Sequence, residues 1–132
     1  MPTLVYYLAL SAFFTHELDA VMAQEWRLLY GLRSLSDAAA YPLFMLIHLP
    51  LFFVFLWLSH HRRPSLRAGF RALAAGFLIV HAGLHLRLAD APLNGFDGLL
   101  SYGLIHAAGL LGALYLLLWL RGRRHGREPG LP

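Results

Sequence analysis

The chain has 132 residues, 58% hydrophobic and 14% charged, against about 25% charged for an ordinary soluble domain. That is too little polar surface for a fold bathed in water, and the length leaves room for one domain. Cysteine is absent, which excludes disulfides, thiolate metal sites and cysteine nucleophiles, so any metal must be held by nitrogen and oxygen.

The net charge is +4, and every one of the eleven cations is arginine. The arginines cluster beside apolar segments, so they read as orienting the chain in a membrane rather than as a nucleic-acid surface. No nucleic-acid partner is expected.

Crossing a bilayer takes about 20 mostly apolar residues. Four segments approach that length, at about 3–22, 40–58, 68–86 and 98–120. Each is expected to be helical, because backbone groups in lipid must be satisfied internally. The fold class is thus all-α, an integral membrane four-helix bundle occupying 1–120.

The first segment lacks the basic start of a signal peptide and is read as a retained span. Its helix is expected to continue along the interface over 23–32, with Trp26 and Tyr30 as aromatic anchors. Ser34, Ser36 and Asp37 suggest a loop that caps the second helix, with Pro42 in its first turn and Pro50 kinking it. A polar turn spans 59–67. A second turn spans 90–97, with the Asn94-Gly95 signal and Asp97 placed to cap the fourth helix. Residues 121–132 form a basic tail expected to be disordered and cytoplasmic. The small-residue pairs Ala72/Gly76 and Ala108/Gly112 would let helices approach closely.

Arg62, Arg63, Arg67 and Arg71 flank the second connection, and Arg121, Arg123, Arg124 and Arg127 follow the last span. The positive-inside rule puts these on the cytoplasmic face of a bacterial-type inner (plasma) membrane, with both termini inside. Six of the seven acids then fall in or beyond the outer half: Glu17, Asp19, Glu25, Asp37, Asp90 and Asp97.

Counting inward at about 1.5 Å per residue places His16, His48, His81 and His106 at one layer, roughly 8–12 Å below the outer surface. His85 lies one turn from His81, nearer that surface. Ionisable groups within spans are costly and mark function by default. The i, i+4 pair His81/His85 puts two imidazoles on one helix face, where they can share a metal. His16 and Asp19, at i, i+3, also share a face, and Glu17 points roughly 100° away. The expected metal ligands are therefore His16, Asp19, His48, His81, His85 and His106, with Glu17 and Tyr102 as catalytic candidates. A hydrogen-bonded polar helix end is the alternative for His16, Glu17 and Asp19, and an interfacial aromatic the alternative for Tyr102.

Glu25 is assigned to the outer interface, as a solvated charge paired with an arginine, or as a lid over the site or a group that orients its ligands. His60, His61 and His125 are assigned to solvent or to anionic headgroups.

Imidazole and carboxylate without thiolate suit a divalent metal, Zn or Fe/Mn. The expected function is a metal-dependent enzyme acting on a lipid-like, membrane-soluble substrate from an outer-leaflet pocket, hydrolysis placed ahead of oxidation. One alternative is a b-type haem or metal redox carrier, with His48 and His106 as axial candidates. Another is an ion or proton transporter or accessory subunit, against which the inner halves of all four segments carry no polar path. The partners are membrane lipid and the substrate, with a homo-oligomer left open. No phosphate loop, HExxH, GxSxG or EF-hand pattern is present.

Overall fold

The structure, a computed structural model, describes residues 2–125. It is all-helical: α1 (Pro2–Met22), α2 (Asp37–Ser59), α3 (Pro64–Arg87) and α4 (Gly98–His125), with one 3-10 turn at Glu25–Arg27. Among the described residues, α2, α3 and α4 are long and apolar enough to cross a membrane. α1 is as long as a span but is not one of these. His16, Glu17 and Asp19 in its last turns lower its apolarity, and the bundle encloses that end.

α1 buries Tyr6, Leu10, Phe13, Glu17 and Ala20, the three- to four-residue repeat of a helix with one buried face. It lies against α4, and α4 against α3. In lipid the hydrophobic effect does not drive helices together, so close van der Waals approach must. Gly112 and Gly109 provide it. A Cβ on Gly112 would sit 2.8 Å from the Ala75 carbonyl oxygen, and one on Gly109 would sit 2.8 Å from the Ala82 Cβ. The two expected small-residue pairs therefore differ, for a Cβ on Gly76 would meet nothing within 4 Å.

α2 stands further out. Rings hold it to α1, with Phe13–Phe55 centroids at 5.4 Å and Phe14–Phe52 at 4.5 Å. Its outer face exposes Leu46, Leu49 and Phe53, as a helix bordered by hydrocarbon should. The helix runs through both Pro42 and Pro50. Pro42 falls in the second turn rather than the first, because α2 begins at Asp37.

One end of the bundle is basic. There Arg71 donates to the Ser59 carbonyl and to the Tyr7 hydroxyl, at 2.8–3.0 Å. Tyr6 and Ser59 share a hydrogen bond at 2.5 Å, and Tyr7 meets His60 Nε2 at 2.8 Å. These bonds join the start of α1, the end of α2 and the first turns of α3. Ser65 and Arg123 line one cleft, so α4 ends there too.

The opposite end departs from expectation. The helix over 23–32 does not form. Gln24 adopts a left-handed backbone (φ 55°), which ends α1 and turns the chain back. Trp26 is buried instead of anchoring at the interface, and its indole donates to Asp37 Oδ1 at 2.9 Å. Asp37 also takes an ion pair from Arg27. Ser36 is the N-cap residue of α2, without a side-chain cap bond. The basic tail is not disordered from its start, since α4 continues through Arg121 to His125. Residues 126–132 lie outside the described residues.

Candidate metal centre

Side chains from two helices and the 3-10 turn converge just inside the Gln24 reversal. His16 comes from α1, and His81 and His85 from α3. Glu25, from the 3-10 turn, completes the group. One ligand atom from each of these four lies within 4.8 Å of every other. The His16 ring stands 4.7 Å from His85 and 5.4 Å from His81, centroid to centroid. Glu25 Oε1 is 3.3 Å from His85 Nε2. A tetrahedral ion with bonds of about 2.0–2.1 Å holds its ligand atoms about 3.3–3.4 Å apart, so this pair already has the required separation.

His16 is fully buried, and neither of its ring nitrogens has a hydrogen-bond partner. His81 Nε2 is also buried without one. Each such atom costs about 1–3 kcal/mol if nothing binds it. Apolar rings wall the group: Phe96 stacks on His16 at 5.2 Å and meets His85 edge-on at 4.7 Å, while Phe77 stacks on His81 at 5.4 Å.

Phe96 is placed by the 90–97 turn. Asn94 caps it, donating to the Ala89 carbonyl and accepting from the Phe96 N–H. Gly95 lets the turn lie on α1's end: its Cβ would fall 2.1 Å from the Ala23 carbonyl oxygen, so no larger residue fits.

Glu25 is buried. Burial pushes its carboxyl up, but the hydrogen bond from His85 and the nearby imidazoles outweigh that and hold it below its ordinary value.

Of the expected ligands, the structure brings together His16, His81 and His85. It does not bring His48, Asp19 or His106 into the group. Glu17 Oε2 is hydrogen-bonded to His48 Nε2 at 2.7 Å, and its other oxygen is 3.8 Å from His81 Nε2. Glu17 thus bridges from the group to α2. His48 Nδ1 donates to the Phe44 carbonyl at 2.6 Å. Both His48 nitrogens therefore face oxygen acceptors, and a proton must be shared between His48 and Glu17 to satisfy them.

His106 Nδ1 donates to the Tyr102 carbonyl at 2.6 Å, which leaves its Nε2 buried and unpaired, as is Asp19 Oδ2. The Tyr102 hydroxyl is 3.4 Å from Asn94 Nδ2, at the turn rather than at the four-residue group. The sequence does not place Glu25 in this group, because an unbroken helix after Met22 would carry it away from the site.

No curated protein and no solved structure matches the chain. The model of a family of unknown function, DUF6713, matches residues 2–122, and the chain belongs to that family.

Proposed function

We propose that this protein is a membrane metalloenzyme that binds one divalent transition metal through His16, His81, His85 and Glu25 and hydrolyses a lipid-like substrate. The observation that carries the reading is the four-residue group, with both nitrogens of a fully buried His16 left without partners. Three imidazoles and one carboxylate suit Zn, Fe or Mn. Held with a coordination position left open beyond these four side chains, an ion would supply Lewis acidity and acidify a water there.

The chain's own residues suggest a division of labour. Glu25 and the three histidines hold the ion. Glu17 lies beside His81 and already shares a proton with His48, which suits it to take a proton at Oε1 and pass it at Oε2. Phe96 and Phe77 keep bulk water from the imidazoles. Hydrolysis is preferred to oxidation because this acid–base pair serves proton transfer. The arginine-rich end is proposed to face the cytoplasm of a bacterial-type inner membrane, leaving the site in the outer leaflet half.

The test is metal-dependent release of product from ester- or phosphodiester-linked lipids by the purified, metal-loaded protein. Glu17→Gln should keep the metal and lower turnover by roughly 10²–10⁴. Full turnover in Glu17→Gln would remove the acid–base role, and no metal-dependent release from any lipid class would remove the hydrolase reading.

A further inference from the structure

The positive-inside rule accounts for the arginines at the basic end but not for those at the other end, among them Arg27 and Arg33. These two line one cleft of about 240 Å³, whose remaining wall is apolar and includes Leu28, Leu88 and Leu93. Arg27 sits two residues after Glu25 in the same 3-10 turn, and Leu88 lies one helical turn beyond His85. The cleft is therefore built from the two segments that deliver Glu25 and His85.

The two arginines are held differently. Asp37 neutralises Arg27, and that pair fixes the turn against the start of α2. Arg33 is exposed and has no acidic partner among the described residues; its guanidinium lies 4.0 Å above the Tyr30 ring. Stacking on an aromatic face orients a guanidinium without using its donors. A preoriented, unpaired guanidinium above leucine walls presents a cation to a headgroup and hydrocarbon to a chain. A planar fork of donors matches a phosphate bidentately.

We propose that this cleft binds the phosphate of an anionic amphiphile, with Arg33 as its principal contact, and that it is the headgroup subsite of the metal centre's substrate. This rests on the metalloenzyme reading for the word substrate, while binding in the cleft does not. The substrate class would then be phosphate lipids of net negative charge rather than neutral or zwitterionic ones.

The experiment measures binding of dihexanoyl phosphatidic acid, dihexanoyl phosphatidylcholine and inorganic phosphate to the full chain in a non-ionic detergent, with metal content read on the same samples. The expected result is binding of phosphatidic acid at least about tenfold tighter than of either other probe. Arg33→Gln should abolish that preference with metal content unchanged, and Arg33→Lys should restore part of it. Arg62→Gln, at the basic end, should change nothing, which controls for overall charge. Equal binding of phosphatidylcholine, or an undiminished preference in Arg33→Gln, would overturn the subsite. Inorganic phosphate binding as tightly as the lipid would overturn the amphiphile and leave a soluble anion as ligand. His85→Ala should lose the metal and keep the preference for phosphatidic acid, because the cleft's contacts do not include the metal group; loss of that preference with the metal would overturn Arg33 as the principal contact. If wild-type protein never holds metal, the metalloenzyme reading fails while the cleft is judged by the Arg33 variants alone.

Discussion

Replacing Gly112 by Ala should destabilise the bundle, and replacing Gly76 by Ala should stabilise it. Both lie in long helices, where Ala is favoured over Gly by about 0.5–1 kcal/mol. At Gly76 a new Cβ meets nothing within 4 Å, so only that gain remains. At Gly112 the Cβ falls 2.8 Å from the Ala75 carbonyl oxygen and 3.4 Å from the Leu78 Cβ. The oxygen belongs to the backbone of α3 and cannot swing aside, so α3 must retreat by about 0.5 Å. Overpacking of this kind costs about 1–3 kcal/mol. With the propensity gain set against it, Gly112→Ala should lose about 1–2 kcal/mol. The two variants should then differ by roughly one to two powers of ten in unfolding equilibrium. Reversible unfolding in mixed micelles, followed by helical circular dichroism, reads the difference. Equal stabilities, or a stabilised Gly112→Ala, would refute the close α3–α4 approach.

Other outcomes follow from the same geometry. Gly109→Ala should push on Ala82, between His81 and His85 in sequence, and weaken metal retention against a chelator as well as stability. Glu25→Gln should lower metal affinity by more than the 10- to 100-fold of a residue outside the ligand set, and His48→Ala by no more than that range; chelator competition measures both. Gln24→Gly should stabilise the protein by about 1 kcal/mol by relieving a left-handed backbone, with metal content unchanged. The metal-free protein should lose stability on acidification. Glu25 is held below its ordinary carboxylate value, so its contribution is full above that value and disappears as pH falls through the folded value. A metal-free Glu25→Gln variant should lose less stability than the metal-free wild type in an unfolding series from pH 6 to 3.

The helices and three of the four residues in the candidate group are legible in the sequence because lipid makes both conspicuous. A run of apolar residues long enough to span can only be helix, and an imidazole within it is a costly exception. That logic found His16, His81 and His85. It could not assign His48, since a depth along a helix says nothing about lateral direction. The histidine of the outlying α2 reaches Glu17 rather than the other imidazoles. Glu25 was illegible for another reason. Its side chain returns to the site only because Gln24 takes a conformation that a non-glycine residue rarely adopts. No residue there signals the break. Trp26 looked like an interfacial anchor, yet it is buried beneath the turn. The pairing of Trp26 and Arg27 with Asp37, ten or more residues on, belongs to the tertiary fold and leaves no periodic trace.

The central claim is that the buried imidazoles and Glu25 form a metal site. Elemental analysis of the protein purified without added metal, together with His16→Ala, His85→Ala and His60→Ala, tests it most directly. The account predicts about one transition-metal ion per wild-type chain, retained in His60→Ala and reduced below about a tenth in the two site variants. Wild-type protein without a transition metal even after loading with Zn, Fe or Mn, or metal retained in full by both site variants, would contradict it.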